Sequence, residues 1–188
     1  MRILNHFVIL AAALYLLVFS FPAGAQEADS LQLSEQKIKA GLIYNFLKYT
    51  EWPADKKPEG DAPTIVCILG NEDPFSGYLE PIAAKTVHRH SVTLRHVSST
   101  SDTGACHLLF VSAAEKQHWK ELQTFLAGKH VLTVGDFPGF ADEGGMIELG
   151  SREDHVYIEL NVKAISQAQL VIYNELRRLS STTQASPP

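Results

Sequence analysis

The stretch Leu132–Leu149, LTVGDFPGFADEGGMIEL, decides the fold. It opens as a short apolar run that ends at Gly135-Asp136. A loop rich in glycine and acid follows, carrying two exposed-looking phenylalanines, Phe137 and Phe140. Gly144-Gly145 then turns the chain into a second run, Met146–Leu149. Short apolar runs bounded by turn residues suit strands buried on both faces.

Upstream lie two more such runs, Thr64–Leu69 (TIVCIL) and His107–Val111 (HLLFV), and Val131–Val134 is the third. His88–Val97 alternates, with Val92, Leu94 and Val97 as its apolar members. Helices are expected at Phe75–Ala84, after the acidic entry Asn71-Glu72-Asp73-Pro74, and after Ser112. There Ser112 is the expected cap, Glu115 takes the capping-box position, and Trp119, Leu122, Phe125 and Leu126 form the buried stripe. Gly128 closes that helix. The order strand, helix, strand, loop, strand, helix, strand predicts an α/β domain with a mostly parallel sheet. Right-handed crossovers put the first and third strands of that series side by side.

Downstream, Met146–Leu149 and Val156–Asn161 flank the turn signal Ser151-Arg152-Glu153-Asp154 and read as a hairpin, which makes the sheet mixed at its edge. Lys163–Leu179 reads as one last helix with Ile165, Ala168, Leu170, Ile172, Leu176 and Leu179 apolar. The expected architecture is a single α/β domain: a mostly parallel mixed sheet of about six strands flanked by helices, with a C-terminal hairpin and helix. Residues 180–188 read as a disordered polar tail.

The N-terminal side has two parts. Arg2, the apolar run Phe7–Phe21 and the ending Pro22-Ala23-Gly24-Ala25 have the layout of a signal peptide cleaved after Ala25. Residues 26–36 read as a leader, with Ser34 as a helix cap. Ile38, Leu42, Phe46 and Tyr49 then recur at helical spacing, widened by Ile43 and Leu47, until Trp52-Pro53 ends the helix. The aromatic residues here (Tyr44, Phe46, Tyr49 and Trp52) serve either a core or a partner-facing patch.

The formal net charge of −5 argues against nucleic acid, which needs a basic face. The two cysteines, Cys67 and Cys106, have the even count of a disulfide in an exported protein. Two buried free thiols are the alternative reading. Their spacing excludes a CxxC redox pair.

No catalytic set emerges. There is no nucleophile elbow and no Walker loop. His88-x-His90 lacks further ligands at metal-binding spacing. Gly70-Asn71-Glu72-Asp73 follows a strand as a phosphate loop does, but it carries two acids and a single glycine. The segment Gly135, Asp136, Phe137, Gly139, Phe140 and Gly145 is the candidate binding loop, because ligands of open α/β sheets bind beyond the carboxyl ends of strands. Its other reading is structural, with Gly135, Gly139, Gly144 and Gly145 supplying positive φ at turns and Phe137 and Phe140 tucked back onto the core.

Several segments together resemble the YfiR family. They are Lys39-Ala40-Gly41-Leu42-Ile43-Tyr44-Asn45-Phe46 through Glu51-Trp52-Pro53, and Ile68-Leu69-Gly70 with Asp73-Pro74-Phe75. Cys106–Ser112 and Leu132–Asp136 follow, with Gly139-Phe140 and Gly144-Gly145-Met146-Ile147. Ile158–Asn161 and Glu175–Leu179 complete the set. The likeness covers residues 37–179. The resemblance implies a periplasmic, non-catalytic α/β protein without cofactor. Such a protein binds the periplasmic sensor domain of an inner-membrane diguanylate cyclase or kinase, lowers cyclic di-GMP and restrains biofilm formation. An outer-membrane lipoprotein as a second partner, and a homodimer, are further implications. Cys67 and Cys106 match a family disulfide pair, whereas a second pair around the glycine loop has no counterpart here. The alternative function is a periplasmic small-molecule-binding protein feeding a sensor kinase or transporter. A third reading, an envelope hydrolase, has only the α/β layout behind it.

Overall fold

The computed structural model describes residues 24–152 and 155–184. The expected signal peptide falls almost wholly outside them, as do residues 185–188. The chain forms two compact units that divide between Leu33 and Ser34. In the first, the described residues begin the helix α1, Gly24–Lys48. The expected leader 26–36 is therefore helical, and Ser34 does not start the helix. The reason is local: Ala25-Gln26-Glu27-Ala28 and Leu31-Gln32-Leu33 are good helix formers with no proline among them. Among the described residues no helix is long and apolar enough to cross a membrane.

The second unit holds a seven-stranded sheet. Its strands in chain order are β2 (Thr64–Leu69), β3 (Thr86–Val87), β4 (His90–Val97), β5 (Leu108–Val111), β6 (Leu132–Gly135), β7 (Ile147–Arg152) and β8 (His155–Leu160). Their spatial order is β3-β4-β2-β5-β6-β7-β8. The two-residue β1 (Thr50–Glu51) pairs elsewhere, with β9 (Val171–Ile172). The run from β4 to β7 is parallel, and only β3 and β8 are antiparallel to their neighbours. The first and third strands of the predicted series do lie side by side, Val66 opposite Leu108 and Ile68 opposite Phe110.

The apolar runs are buried on both faces. One face of β2 presents Val66 and Ile68 to a core built on Ile43, Phe46 and Leu47 of α1. The other presents Cys67 and Leu69 to a core built on Trp119 and Leu122. Those two belong to α3 (Trp119–Leu126), which follows a 3-10 turn at Ala113–His118. The buried edge of α1 is Ala40-Ile43-Phe46-Leu47, while Ile38 is 49% exposed. The helix is thus rotated slightly from the stripe that four-residue spacing picks out.

Three further segments differ from expectation. Phe75–Ala84 is helical only in α2, Glu80–Ala83. Ser76 and Gly77 both have positive φ, and the Asp73 carboxylate accepts from the N–H groups of Phe75 and Gly77, so a side-chain-bonded turn replaces the first helical turn. Ser112 makes no side-chain cap; the free N–H of Ala113 is taken by the Asp136 carboxylate at 2.8 Å. The last helix is two helices, α4 (Val162–Gln167) and α5 (Asn174–Gln184), separated by β9. Asn161 caps α4 through Ala164 N–H. Gln169 at φ 56° then ends it and frees Val171–Ile172 to pair with β1.

His107 shows how tightly the sheet is closed. Its Nδ1 accepts the N–H of Ile65 at 3.0 Å, and its Nε2–H donates to the carbonyl of Lys56 at 3.0 Å. The tautomer is thereby fixed and the ring is neutral. Burial, and next the charge of Lys56, pull its pKa down to about 4. An unfolded histidine titrates near 6.5, so between pH ~6.5 and ~4 the unfolded chain binds a proton the folded chain refuses. Stability from this group is complete above that window and is lost as pH falls through it, by about 3 kcal/mol in total. Urea unfolding at pH 7 and pH 4.5 is expected to show a larger loss for the wild type than for His107→Gln.

Candidate functional site

The loop between β6 and β7, Asp136–Met146, joins two parallel strands without a helix. It can do so because β7 is displaced along the sheet. Only Val134 and Gly135 of β6 pair with it, opposite Ile147 and Glu148. The chain therefore returns just two residues before entering β7, and the hairpin β7–β8 extends past the carboxyl ends of the parallel strands. Crossovers that return a full strand need a dozen or more residues.

Inside the loop the chain coils on itself. Phe140 N–H donates to Phe137 O, Glu143 N–H to Gly139 O, and Gly145 N–H to Phe140 O. Phe137 and Phe140 are buried and meet edge-to-face with ring centroids 5.1 Å apart. Phe140 also lies 4.4 Å from the Trp119 ring. The glycines divide into two kinds. Gly139 and Gly144 have positive φ, as expected of turn glycines. Gly135 and Gly145 do not; a Cβ on either would overlap the Phe140 ring. Their hydrogen side chains are a matter of space, which corrects the expectation that all four glycines serve backbone conformation. Gly145→Ala is expected to cost about 1–3 kcal/mol as overpacking, read as a lowered urea midpoint with an unchanged slope.

The surroundings hold each turn of the loop. The carbonyl of Glu143 accepts from Trp119 Nε1 at 3.2 Å and Gln123 Nε2 at 2.9 Å. Glu148, itself buried, accepts from Ala141 N–H and from the Tyr157 hydroxyl. Asn161 donates to Ala141 O. At the loop's entry Asp136 faces Lys39 at 3.7 Å, and Lys39 also pairs with Glu35 at 2.6 Å. Burial pushes the Asp136 carboxyl above its ordinary range, against the pull of Lys39 and of the Ala113 N–H. At Glu35 burial acts the same way, but hydrogen bonds from Lys39 and Ser151 outweigh it and hold the carboxyl low.

The structure thus gathers all six candidate loop residues into one unit. Gly135, Phe137, Phe140 and Gly145 lie inside it, and Asp136 and Gly139 are half-buried. The exposed rim consists of other residues, Pro138, Asp142 and Glu143. Lys116 leans over this rim, 3.5 Å from Glu143 and 4.9 Å above the Phe137 ring. Among the described residues the Asp136 carboxylate accepts from the Ala113 N–H and faces Lys39, and the Glu143 carboxylate faces Lys116. Among the described residues no group of three His, Cys, Asp or Glu side chains is placed to hold a metal ion.

The disulfide Cys67–Cys106 is formed, with a Cα–Cα distance of 5.8 Å. It joins the middle of β2 to the residue that leads into β5, on the α3 side of the sheet. This resolves the choice between a bridge and two thiols.

A cleft of about 490 Å³ lies elsewhere, lined by Tyr44, Lys48, Tyr49, Thr86, His88 and Tyr173 among others. Sequence reasoning missed it because its walls come from three distant segments. The density of tyrosines in and after α1 was the available signal.

A family model described as YfiR/HmsC-like matches residues 36–181. The chain belongs to the YfiR/HmsC-like family. The matched span takes in the described sheet, both cysteines and the glycine loop, as the resemblance anticipated. The family is one of periplasmic, non-catalytic regulators of a diguanylate cyclase. No curated protein matches the chain.

Proposed function

We propose that this chain is exported through a cleaved signal peptide at residues 1–25 and acts in the periplasm without catalysis. It binds the periplasmic sensor domain of an inner-membrane diguanylate cyclase and holds it inactive, lowering cyclic di-GMP and restraining biofilm formation. The observation that carries this reading is the family match across residues 36–181.

The mechanism is a shift of population. A regulator restrains a sensor only by binding its inactive state better than its active state. Moving the sensor from mostly on to mostly off takes about 5.5 kcal/mol of differential affinity. An interface of about 1,600 Å² is large enough to supply it. The rim of the glycine loop and its neighbouring hairpin are the candidate contact surface. A homodimer and an outer-membrane lipoprotein that sequesters the regulator complete the proposal. Affinity capture from envelope extracts is expected to recover a membrane cyclase; recovery of no membrane signalling protein would contradict the proposal.

A second reading is a periplasmic small-molecule-binding protein that feeds a sensor kinase or transporter. The tyrosine-lined cleft favours it. A ligand specific to the native state raises the apparent melting temperature, so a thermal-shift screen that yields a saturable hit would support it.

A further inference from the structure

Beyond its short pairing with β3, no described strand pairs with the outer edge of β4. Parallel strands direct the N–H and C=O of alternate residues to each neighbour. Gly70 N–H donates to Val97 O, and Ile65 exchanges bonds with His107 on the opposite side of β2. With Val66 opposite Leu94 and Ile68 opposite His96, the groups of Thr93, Arg95 and Val97 must point inward to β2. Those of Val92, Leu94 and His96 point outward. The outward N–H of Val92 is used by Lys85 O, and β3 pairs only with His90 and Ser91. Among the described residues, therefore, no strand takes the outward main-chain donors and acceptors of Leu94 and His96.

The charge along this edge is unlike that of the chain. The protein carries 21 acidic and 16 basic residues. Pro81–Ser101 has no acid at all, and holds Lys85, Arg89 and Arg95 with His88, His90 and His96. Arg89, Arg95 and His96 are exposed. The His96 ring is drawn toward β2 by its Nδ1–H donating to Gly70 O at 3.0 Å, which leaves the edge clear.

We infer that β4 is a docking edge for an extended acidic segment of a partner protein, which adds to the sheet as an eighth strand. Main-chain pairing supplies affinity in this mode, and side chains supply selection. A charge of either sign blunts an edge against aggregation. An edge whose charged side chains carry no acid does more, because it favours an acidic strand over a basic one. Antiparallel pairing of two copies along Leu94–His96 would set the two Arg95 side chains against each other, so a second copy is disfavoured. An anionic lipid surface answers the charge but leaves the outward N–H groups unpaired. The inference does not depend on which protein supplies the segment, nor on the cyclase reading.

The probe is an end-blocked octapeptide alternating glutamate with valine, with its lysine–valine counterpart as control, added to the purified oxidised protein. Amide hydrogen exchange at Leu94 and His96 is expected to be fast in the free protein and slowed by the glutamate peptide. Arg95→Glu, at an exposed site, is expected to weaken binding about tenfold or more, as for a charge reversal at a complementary contact. The lysine peptide is expected not to bind. No slowing at these two amides, slowing unaffected by Arg95→Glu, or equal binding of both peptides would overturn the inference. So would Arg95-dependent binding to anionic vesicles with no peptide-induced protection of the edge.

Discussion

Phe140→Ala is expected to destabilise the protein by about 3–5 kcal/mol, the range for removing a fully buried aromatic ring from a core. The effect belongs at the upper end because the ring has three roles. It packs on Trp119 at 4.4 Å. It meets Phe137 edge-to-face. It also fills the space that Gly135 and Gly145 leave open. Two glycines cannot close in on the vacated volume, so a cavity remains. The carbonyl of Glu143, held by Trp119 and Gln123, then loses the surface against which it is fixed. Chemical denaturation reads the loss as a lowered midpoint. Hydrogen exchange is expected to show the loop amides, Phe140 to Gly145, opening before those of β2 and β5.

The second large effect is expected on removing the disulfide. Cys67 and Cys106 enclose a separation of 39 residues, for which the chain-entropy model gives about 4 kcal/mol. The bridge ties β2 to the residues just before its paired neighbour β5, so it adds little geometric constraint to the folded state and acts on the unfolded chain. Cys67→Ala with Cys106→Ala is expected to lose about 2–4 kcal/mol while keeping the circular dichroism of the wild type. Thiol labelling of the denatured, unreduced wild type is expected to find no free thiol.

The parallel sheet was legible because its strands are written as apolar runs. TIVCIL and HLLFV are buried on both faces, and their shortness and bounding turn residues mark them as strands. The hairpin turn was legible in the polar Ser151–Asp154, although pairing continues to Arg152 opposite His155. The last helix was misread because Ile165, Ala168, Leu170, Ile172 and Leu176 are all buried and fit a helical stripe loosely. The step of two through Ala168, Leu170 and Ile172 was the strand signal. It competed with a helical pattern on both sides, and only the partner strand at Thr50–Glu51 decides it. The start of α1 was misplaced because Ser34 resembles a cap, whereas a cap forms only where the preceding residues leave the helix.

The loop's residues were found in the sequence, but their division of labour was not. Positive φ is a property of turn sequences and can be anticipated. The need for glycine at Gly135 and Gly145 depends on where the Phe140 ring comes to rest, which no local pattern records. For the same reason the outer edge of β4 was invisible: a strand's neighbours are set by topology, not by its own residues.

The central claim, a periplasmic restraint on cyclic di-GMP signalling, is tested most directly by cellular cyclic di-GMP. The comparison is between a strain lacking this protein, the same strain expressing the full chain, and the same strain expressing residues 26–188 without the export segment. Cyclic di-GMP is expected to rise on deletion and to return to the starting level with the exported chain alone. An unchanged level on deletion, or equal rescue by the chain confined to the cytoplasm, would contradict it.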